Sequence, residues 1–128
     1  KPLSLSNAPN NITFIPKTPP DELLKIYNGA KYYLQLSIFE GFGIPILESL
    51  CSGTPVISSK GSCFSEAGGA HSKYVDPNNI EEFAFQIEEC LVNTELRKTM
   101  SKMGLEHARN FEPKTLSNQL NNVYKNLL

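Results

Sequence analysis

The sequence lacks most of the features that would place it in a specialised class. No apolar run approaches the ~20 residues that a membrane-crossing helix needs, and Lys1-Pro2-Leu3 opens with no signal-peptide pattern. Histidine occurs twice, at His71 and His107, and cysteine three times, at Cys51, Cys63 and Cys90. The cysteines are odd in number and far apart, without paired metal-ligand spacing. They read as reduced thiols packed in the core of a cytosolic protein, and no metal site is expected. Charge of one sign is not in excess: the net charge is −1 and the pI about 6.1. Nucleic-acid binding needs a concentrated basic surface, so no nucleic-acid partner is expected. There is no internal repeat. The initiator Met is also absent, and a start within a longer protein is expected.

What remains is an ordinary globular composition. Of 128 residues, 40% are hydrophobic and 20% charged. That suits one domain, able to bury roughly two-thirds of its unfolded surface. Residues 1–11 are polar, with Pro2, Pro9 and Asn10-Asn11, and read as a flexible lead-in to a domain over residues 12–128. Residues 12–15 form a short β-prone run ended by Pro16. Pro20 opens a helix with Leu23, Leu24, Ile26, Tyr27 and Ala30 on one stripe. Residues 32–36 are the next strand. A helix follows from Ile44, with Pro45 in its first turn, burying Ile44, Leu47, Leu50 and Cys51 and stopping at Gly53. Residues 55–58 and 73–75 are further strands, separated by a Gly- and Ser-rich loop over residues 61–70. Asn78 and Glu81 form a capping box for a helix with Ile80, Phe83, Ala84, Ile87 and Leu91 on its apolar side. Thr94 caps a helix carrying Leu96, Met100, Met103 and His107, where His107 reads as a packed histidine. Pro113 starts a last helix with Leu116, Leu120, Val123, Tyr124 and Leu127 facing inward.

Strands alternating with helices in this way predict an α/β fold: a parallel sheet with helices on both faces. Ligands in such sheets sit beyond the carboxyl ends of the strands. The segments there are residues 37–45, residues 58–70 and Asp76-Pro77.

The stretch Glu40-Gly41-Phe42-Gly43-Ile44-Pro45-Ile46-Leu47-Glu48 lies between a predicted strand and a predicted helix. Gly41 and Gly43 allow close backbone approach to a ligand. The free N–H groups at the helix start favour an anion such as a diphosphate. Four residues at ~100° each bring Glu48 about 40° from Ile44 around the helix axis, so Glu48 can face the crevice. A carboxylate there can accept two hydroxyl hydrogen bonds, as a ribose diol would offer. Each part has an ordinary reading too: Gly-x-Gly turns are common, and a glutamate in a first turn often only complements the helix dipole.

Taken together, Glu-Gly-Phe-Gly-x-Pro-x-x-Glu resembles the signature of the retaining nucleotide-sugar glycosyltransferases of GT-B architecture, in the large group 1 family. The resemblance runs from about residue 12 to the end. Ser37 stands at that family's conserved-pattern serine, and Ser52-Gly53-Thr54-Pro55-Val56-Ile57 is similar to its next block. Glu66, Gly69 and Tyr74-Val75-Asp76-Pro77 match the block after that. Leu36, Ser65, Ala70 and Lys31 depart from the pattern.

The resemblance implies a Rossmann-like domain, the C-terminal part of a GT-B donor domain with strand order 3-2-1-4-5-6, of which this chain would hold strands three to six. It implies that Glu40 acts on the donor sugar and on the charge developing at its anomeric carbon. Ser37, Gly41, Phe42, Gly43 and Ile44 would meet the sugar and diphosphate, Glu48 the ribose, and Gly61 and Ser62 the base or sugar. It implies retention without a covalent protein intermediate, no cofactor beyond the nucleotide-sugar substrate and no metal. The acceptor, a glycan or lipid-linked molecule, would be held by a preceding domain together with a diphosphate-binding Arg/Lys pair. On that reading the chain is a fragment, inactive alone, of a cytoplasmic enzyme or one peripheral to the inner membrane face. A non-catalytic nucleotide-sugar-binding module or remnant, and a GT-B-like nucleotide-sugar epimerase, are the alternatives.

Overall fold

The computed structural model describes residues 9–15 and 17–127. Among these, helices and strands alternate: α1 (Pro20–Gly29), β1 (Tyr33–Gln35), α2 (Ile44–Cys51), β2 (Val56–Ser59), α3 (Phe64–Gly68), β3 (Lys73–Val75), α4 (Ile80–Val92), α5 (Thr94–Ala108) and α6 (Pro113–Leu127). A 3-10 turn, Arg109–Phe111, precedes α6. The strands make one parallel sheet in the order β1-β2-β3, with Tyr33 opposite Val56 and Ile57 opposite Lys73. Parallel neighbours need a crossover, and α2 and α3 supply the two. The chain is thus an α/β, Rossmann-like unit with its three strands adjacent.

The core follows from the pleat of β2. Its four residues are all buried, and successive side chains point to opposite faces. Val56 joins Ile46, Leu50, Phe64, Ala67 and Ala108 on the α2 and α3 side. Ile57 joins Val75, Cys90 and Met100 on the α4 side. Helix α5 serves both cores, giving Ala108 to one and Met100 to the other. Polar pins tie the turns at the amino ends of the strands. Thr54 Oγ1 donates to the Tyr27 carbonyl (2.6 Å) and Ser101 Oγ to the Gly53 carbonyl (2.6 Å).

Several sequence expectations need correction. Residues 12–15 are not a strand. Ile12, Phe14 and Ile15 are exposed, and among the described residues no strand lies beside them to satisfy their backbone groups. Residues 1–8 of the expected lead-in, and Pro16, lie outside the described residues. In α2 the buried residues are Ile46, Ser49 and Leu50, whereas Ile44 and Cys51 are exposed. Cys63 is half-buried and Cys90 alone of the three thiols is in the core. In α1 only Tyr27 is buried. In α4 it is Cys90, with Ile80, Ala84 and Leu91 exposed.

The helix caps fall one residue from expectation. The Asn79 side chain accepts the Glu82 N–H (3.0 Å) and the Asn93 side chain the Leu96 N–H (2.9 Å), so Asn78 and Thr94 are not the caps. Helix α6 forms as expected but buries nothing. It packs on the 3-10 turn, and its Leu116, Leu120, Val123, Tyr124 and Leu127 face outward. Helical spacing decides which residues share a face; it does not supply an element to cover that face.

Candidate functional site

The carboxyl end of the sheet gathers the loops named from the sequence. β1 ends at Gln35, the chain turns through residues 36–43, and α2 begins at Ile44. Gly43 is the residue before α2 and has φ +95, a left-handed conformation that glycine adopts without a Cβ penalty. A Cβ there would stand 3.3 Å from Ile46 Cδ1, which would have to give by a few tenths of an ångström, and 3.5 Å from Ala67 Cβ, an ordinary contact. No side chain caps the start of α2. Pro45 has no N–H, and the Ile46 N–H is taken by the Gly43 carbonyl (2.9 Å). The uncapped helix start, at Gly43 and Ile44, is where the positive end of the helix dipole meets the crevice.

Glu40 is half-buried at the loop tip. Its carboxylate accepts the Ser37 hydroxyl (2.7 Å) and the Gln35 side-chain amide (3.1 Å). The same amide reaches Ser37 Oγ (2.6 Å), and the Tyr33 hydroxyl donates to Gln35 Oε1. Gln35 is almost fully buried, so this network has little competition from water. The Glu40 carbonyl accepts Ser62 Oγ (3.1 Å) and Cys63 Sγ (3.3 Å). Those contacts fold the loop after β2 against the loop after β1. Ser62 takes a positive φ of 49 and Gly61 one of 101.

Glu48 lies on the exposed side of α2 and accepts the Tyr27 hydroxyl (3.3 Å). Tyr27 packs edge-on against Tyr33, with ring centroids 5.7 Å apart. Burial holds the Tyr27 hydroxyl well above its ordinary titration range, with the Tyr33 and Glu48 charges adding to the effect. The Tyr33 hydroxyl is raised by burial first, then by the Glu40 and Glu48 charges. Tyr33 therefore feels both carboxylates, and both tyrosines stay protonated donors at neutral pH. A cavity of about 280 Å³ opens beside Glu48, between α1 and α2, lined by Leu23, Leu24, Tyr27 and Cys51 among others.

The structure places Ser37, Glu40, Gly41, Phe42, Gly43, Ile44, Glu48, Gly61 and Ser62 in the loops and helix start beyond β1 and β2. The Phe42 ring packs edge-on against Phe111 at 5.6 Å. Three participants were not singled out as site residues from the sequence: Gln35, Tyr27 and Tyr33. The available signal for Gln35 was a long polar side chain in a strand otherwise read as buried. His107, read as a packed histidine, has Nε2 2.9 Å from the Glu66 carbonyl and its ring against Phe111.

A parallel three-stranded sheet with α-helical crossovers, and with its glycine-rich turn and two positioned glutamates beyond the carboxyl ends of the strands, defines the class of α/β, Rossmann-like proteins. The particular family follows from comparison. The pattern of the family "Glycosyl transferases group 1" matches residues 4–107, and the chain belongs to that family of enzymes. It is similar to O-antigen chain mannosyltransferase B of Escherichia coli, 30% identical over 114 residues, covering 89% of this chain and 30% of that protein. It is also similar to D-inositol 3-phosphate glycosyltransferase of Corynebacterium glutamicum (strain R), 31% identical over 119 residues, covering 91% of this chain and 28% of that protein. The chain thus spans less than a third of the length of these relatives. Among the described residues, no helix is long and apolar enough to cross a membrane.

Proposed function

We propose that this chain binds a nucleotide-diphosphate sugar at the carboxyl end of its sheet and that, in the complete enzyme, the sugar passes with retention of configuration to a glycan or lipid-linked acceptor. The observation that carries the reading is the uncapped, glycine-led start of α2 with Glu40 on one side and Glu48 on the other. The helix start receives the diphosphate. Glu48, exposed and steadied by Tyr27, accepts the ribose hydroxyls. Glu40, fixed by Ser37 and Gln35, presents a carboxylate to the positive charge that grows at the anomeric carbon. Ser37, Gly41, Phe42 and Ile44 shape the sugar end, and Gly61 and Ser62 border it. One relative is named for mannose transfer and another for inositol 3-phosphate glycosyl transfer; similarity to both supports a shared sugar-transfer unit.

Steady-state kinetics on the intact enzyme, across a panel of nucleoside-diphosphate sugars, test these roles. A ribose anchor binds ground state and transition state alike, so Glu48→Gln raises donor KM roughly ten- to hundred-fold, the equivalent of about 1.5–3 kcal/mol. Glu40→Gln lowers kcat more than it raises KM, because its charge matters most in the transition state. Unchanged donor affinity in Glu48→Gln, or a pure KM effect in Glu40→Gln, sinks the assignment.

A further inference from the structure

The opposite end of the sheet holds a second cavity, about 570 Å³, between α5 and the turns that precede β1 and β2. Its lining includes Lys31, Arg97, Lys98, Lys102 and Arg109, with Glu106 as the only carboxylate among the lining residues. Five of the chain's twelve Lys and Arg residues thus converge on one concavity in a protein of net charge −1. The convergence is built by the fold. Lys98, Lys102 and Arg109 recur at helical spacing along one side of α5 and its 3-10 extension, Arg97 borders the same cavity one residue before Lys98, and Lys31 comes from the turn between α1 and β1.

Of the five cations only Lys98 is paired with a carboxylate, Glu95 at 2.9 Å; what sets this surface apart is the convergence of the charges. Among the described residues, Lys31, Arg97, Lys102 and Arg109 make no ion pair. Clustered like charges repel one another, and a multiply charged anion relieves that repulsion in a way that a single carboxylate does not. Guanidinium forks beside ammonium groups match phosphate oxygens. The depression is open to solvent, with Lys31, Lys98, Lys102 and Arg109 exposed around its rim, and it is larger than a lone ion needs.

We propose that this cavity at the amino end of the sheet binds a phosphate-bearing anion, at a site separate from the candidate donor site. The ligand is a phosphorylated small molecule or the phosphate of a lipid headgroup; the chemistry recognised is the same. Because the cavity lies at the other end of the strands, the proposal stands independently of the donor reading.

The test is a titration of the ¹⁵N-labelled intact protein with inorganic phosphate and with pyrophosphate, following the amides of Lys31, Ser101 and Leu105 at this cavity and of Gly41 and Gly43 at the donor site. Saturable shifts at the first group are expected. In Arg97→Gln/Lys102→Gln they weaken by at least about ten-fold, with Gly41 and Gly43 unaffected. Lys114→Gln/Lys125→Gln removes the same charge from α6 and leaves binding unchanged. In a parallel arm, the same proteins are sedimented with phosphatidylcholine vesicles with and without phosphatidylglycerol. Binding to the anionic vesicles alone, lost in Arg97→Gln/Lys102→Gln, identifies the headgroup as the source. Saturation by soluble phosphate or pyrophosphate identifies the free anion. Shifts that never saturate, or binding equally weakened by the α6 pair, with no vesicle binding dependent on Arg97 and Lys102, overturn the proposal.

Discussion

Replacing Gly69 by alanine should cost this fold a large share of its stability, for two separable reasons. Gly69 ends α3 with φ 70 and ψ −178, a region open essentially to glycine alone, and holding another residue there costs on the order of 1–3 kcal/mol. The added Cβ would also lie 2.6, 2.8 and 2.9 Å from three atoms of the His107 ring. That ring has little freedom to step aside. Its Nε2 is 2.9 Å from the Glu66 carbonyl and its ring packs edge-to-face with Phe111 at a centroid distance of 5.4 Å. Overpacking of this kind costs roughly 1–3 kcal/mol. The two together reach about 2–6 kcal/mol, against a total of about 5–15 kcal/mol for a typical domain. Urea and thermal unfolding followed by circular dichroism would read the loss. A double-mutant cycle separates its parts: in a His107→Ala background the steric share vanishes, leaving a coupling of about 1–3 kcal/mol. Gly41→Ala, whose Cβ would meet nothing within 4 Å, should change stability by no more than about 0.5 kcal/mol. A Gly69→Ala protein as stable as the parent, or a cycle without coupling, would refute the reasoning.

Three further outcomes are expected. Gln35→Leu removes the amide that reaches Ser37 and Glu40 and strips the Tyr33 hydroxyl of its acceptor; stability should fall by about 1–3 kcal/mol, and in the intact enzyme kcat should fall while donor KM stays near the parent value, whereas a KM effect alone would contradict the positioning role. The Tyr32 hydroxyl, raised to about 12 chiefly by burial, keeps its proton in the folded state after an unfolded tyrosine has lost it near pH 10; this stabilisation is full below about pH 10 and disappears as pH rises toward 12. Melting temperature should therefore drop between pH 9 and 11.5 with a slope that Tyr32→Phe reduces, and an unchanged slope would argue against it. Asn79→Ala should cost about 0.5–2 kcal/mol as the loss of a helix cap, more than Asn78→Ala, and the reverse order in urea unfolding would place the cap one residue earlier.

Much of the architecture was legible because two periodicities differ. Short β-prone runs, read at 32–36, 55–58 and 73–75, sit between one-sided helical stretches, and that alternation points to parallel strands with crossovers. Rotation of each helix was less legible. α2 is apolar nearly all round, with Ile44, Ile46, Leu47 and Leu50, so spacing alone allowed Ile44 to be the inward residue. The structure buries Ile46 completely, because Gly43 turns the chain into α2 close to Ala67. The caps show a finer version of this. Asn78 and Asn79 both offer a capping oxygen, but Asn78 is drawn into a turn by its N–H donating to Asp76 Oδ1 (2.9 Å), which leaves Asn79 to close the helix.

At the candidate site the sequence displayed the candidate glycines and glutamates but not the residues that hold them in place. Glycines between a strand and a helix are visible as a pattern, and so are two glutamates flanking them. The support for those glutamates comes from residues that the pattern files as core: Tyr27 on α1, Tyr33 and Gln35 on β1. Their roles depend on the loop after β1 folding back until Glu40 meets the Gln35 amide, and on α1 lying against α2 so that Tyr27 reaches Glu48. The two tyrosine rings touch, and the Tyr33 hydroxyl senses the charge on both glutamates. Protonating or removing either carboxylate therefore alters the environment of the hydroxyl that donates to Gln35, and through Gln35 the setting of Glu40. Substitutions at Tyr33 or Gln35 thus act on the electrostatics of the candidate site from behind, and those at Tyr27 also reshape the wall of the cavity beside Glu48.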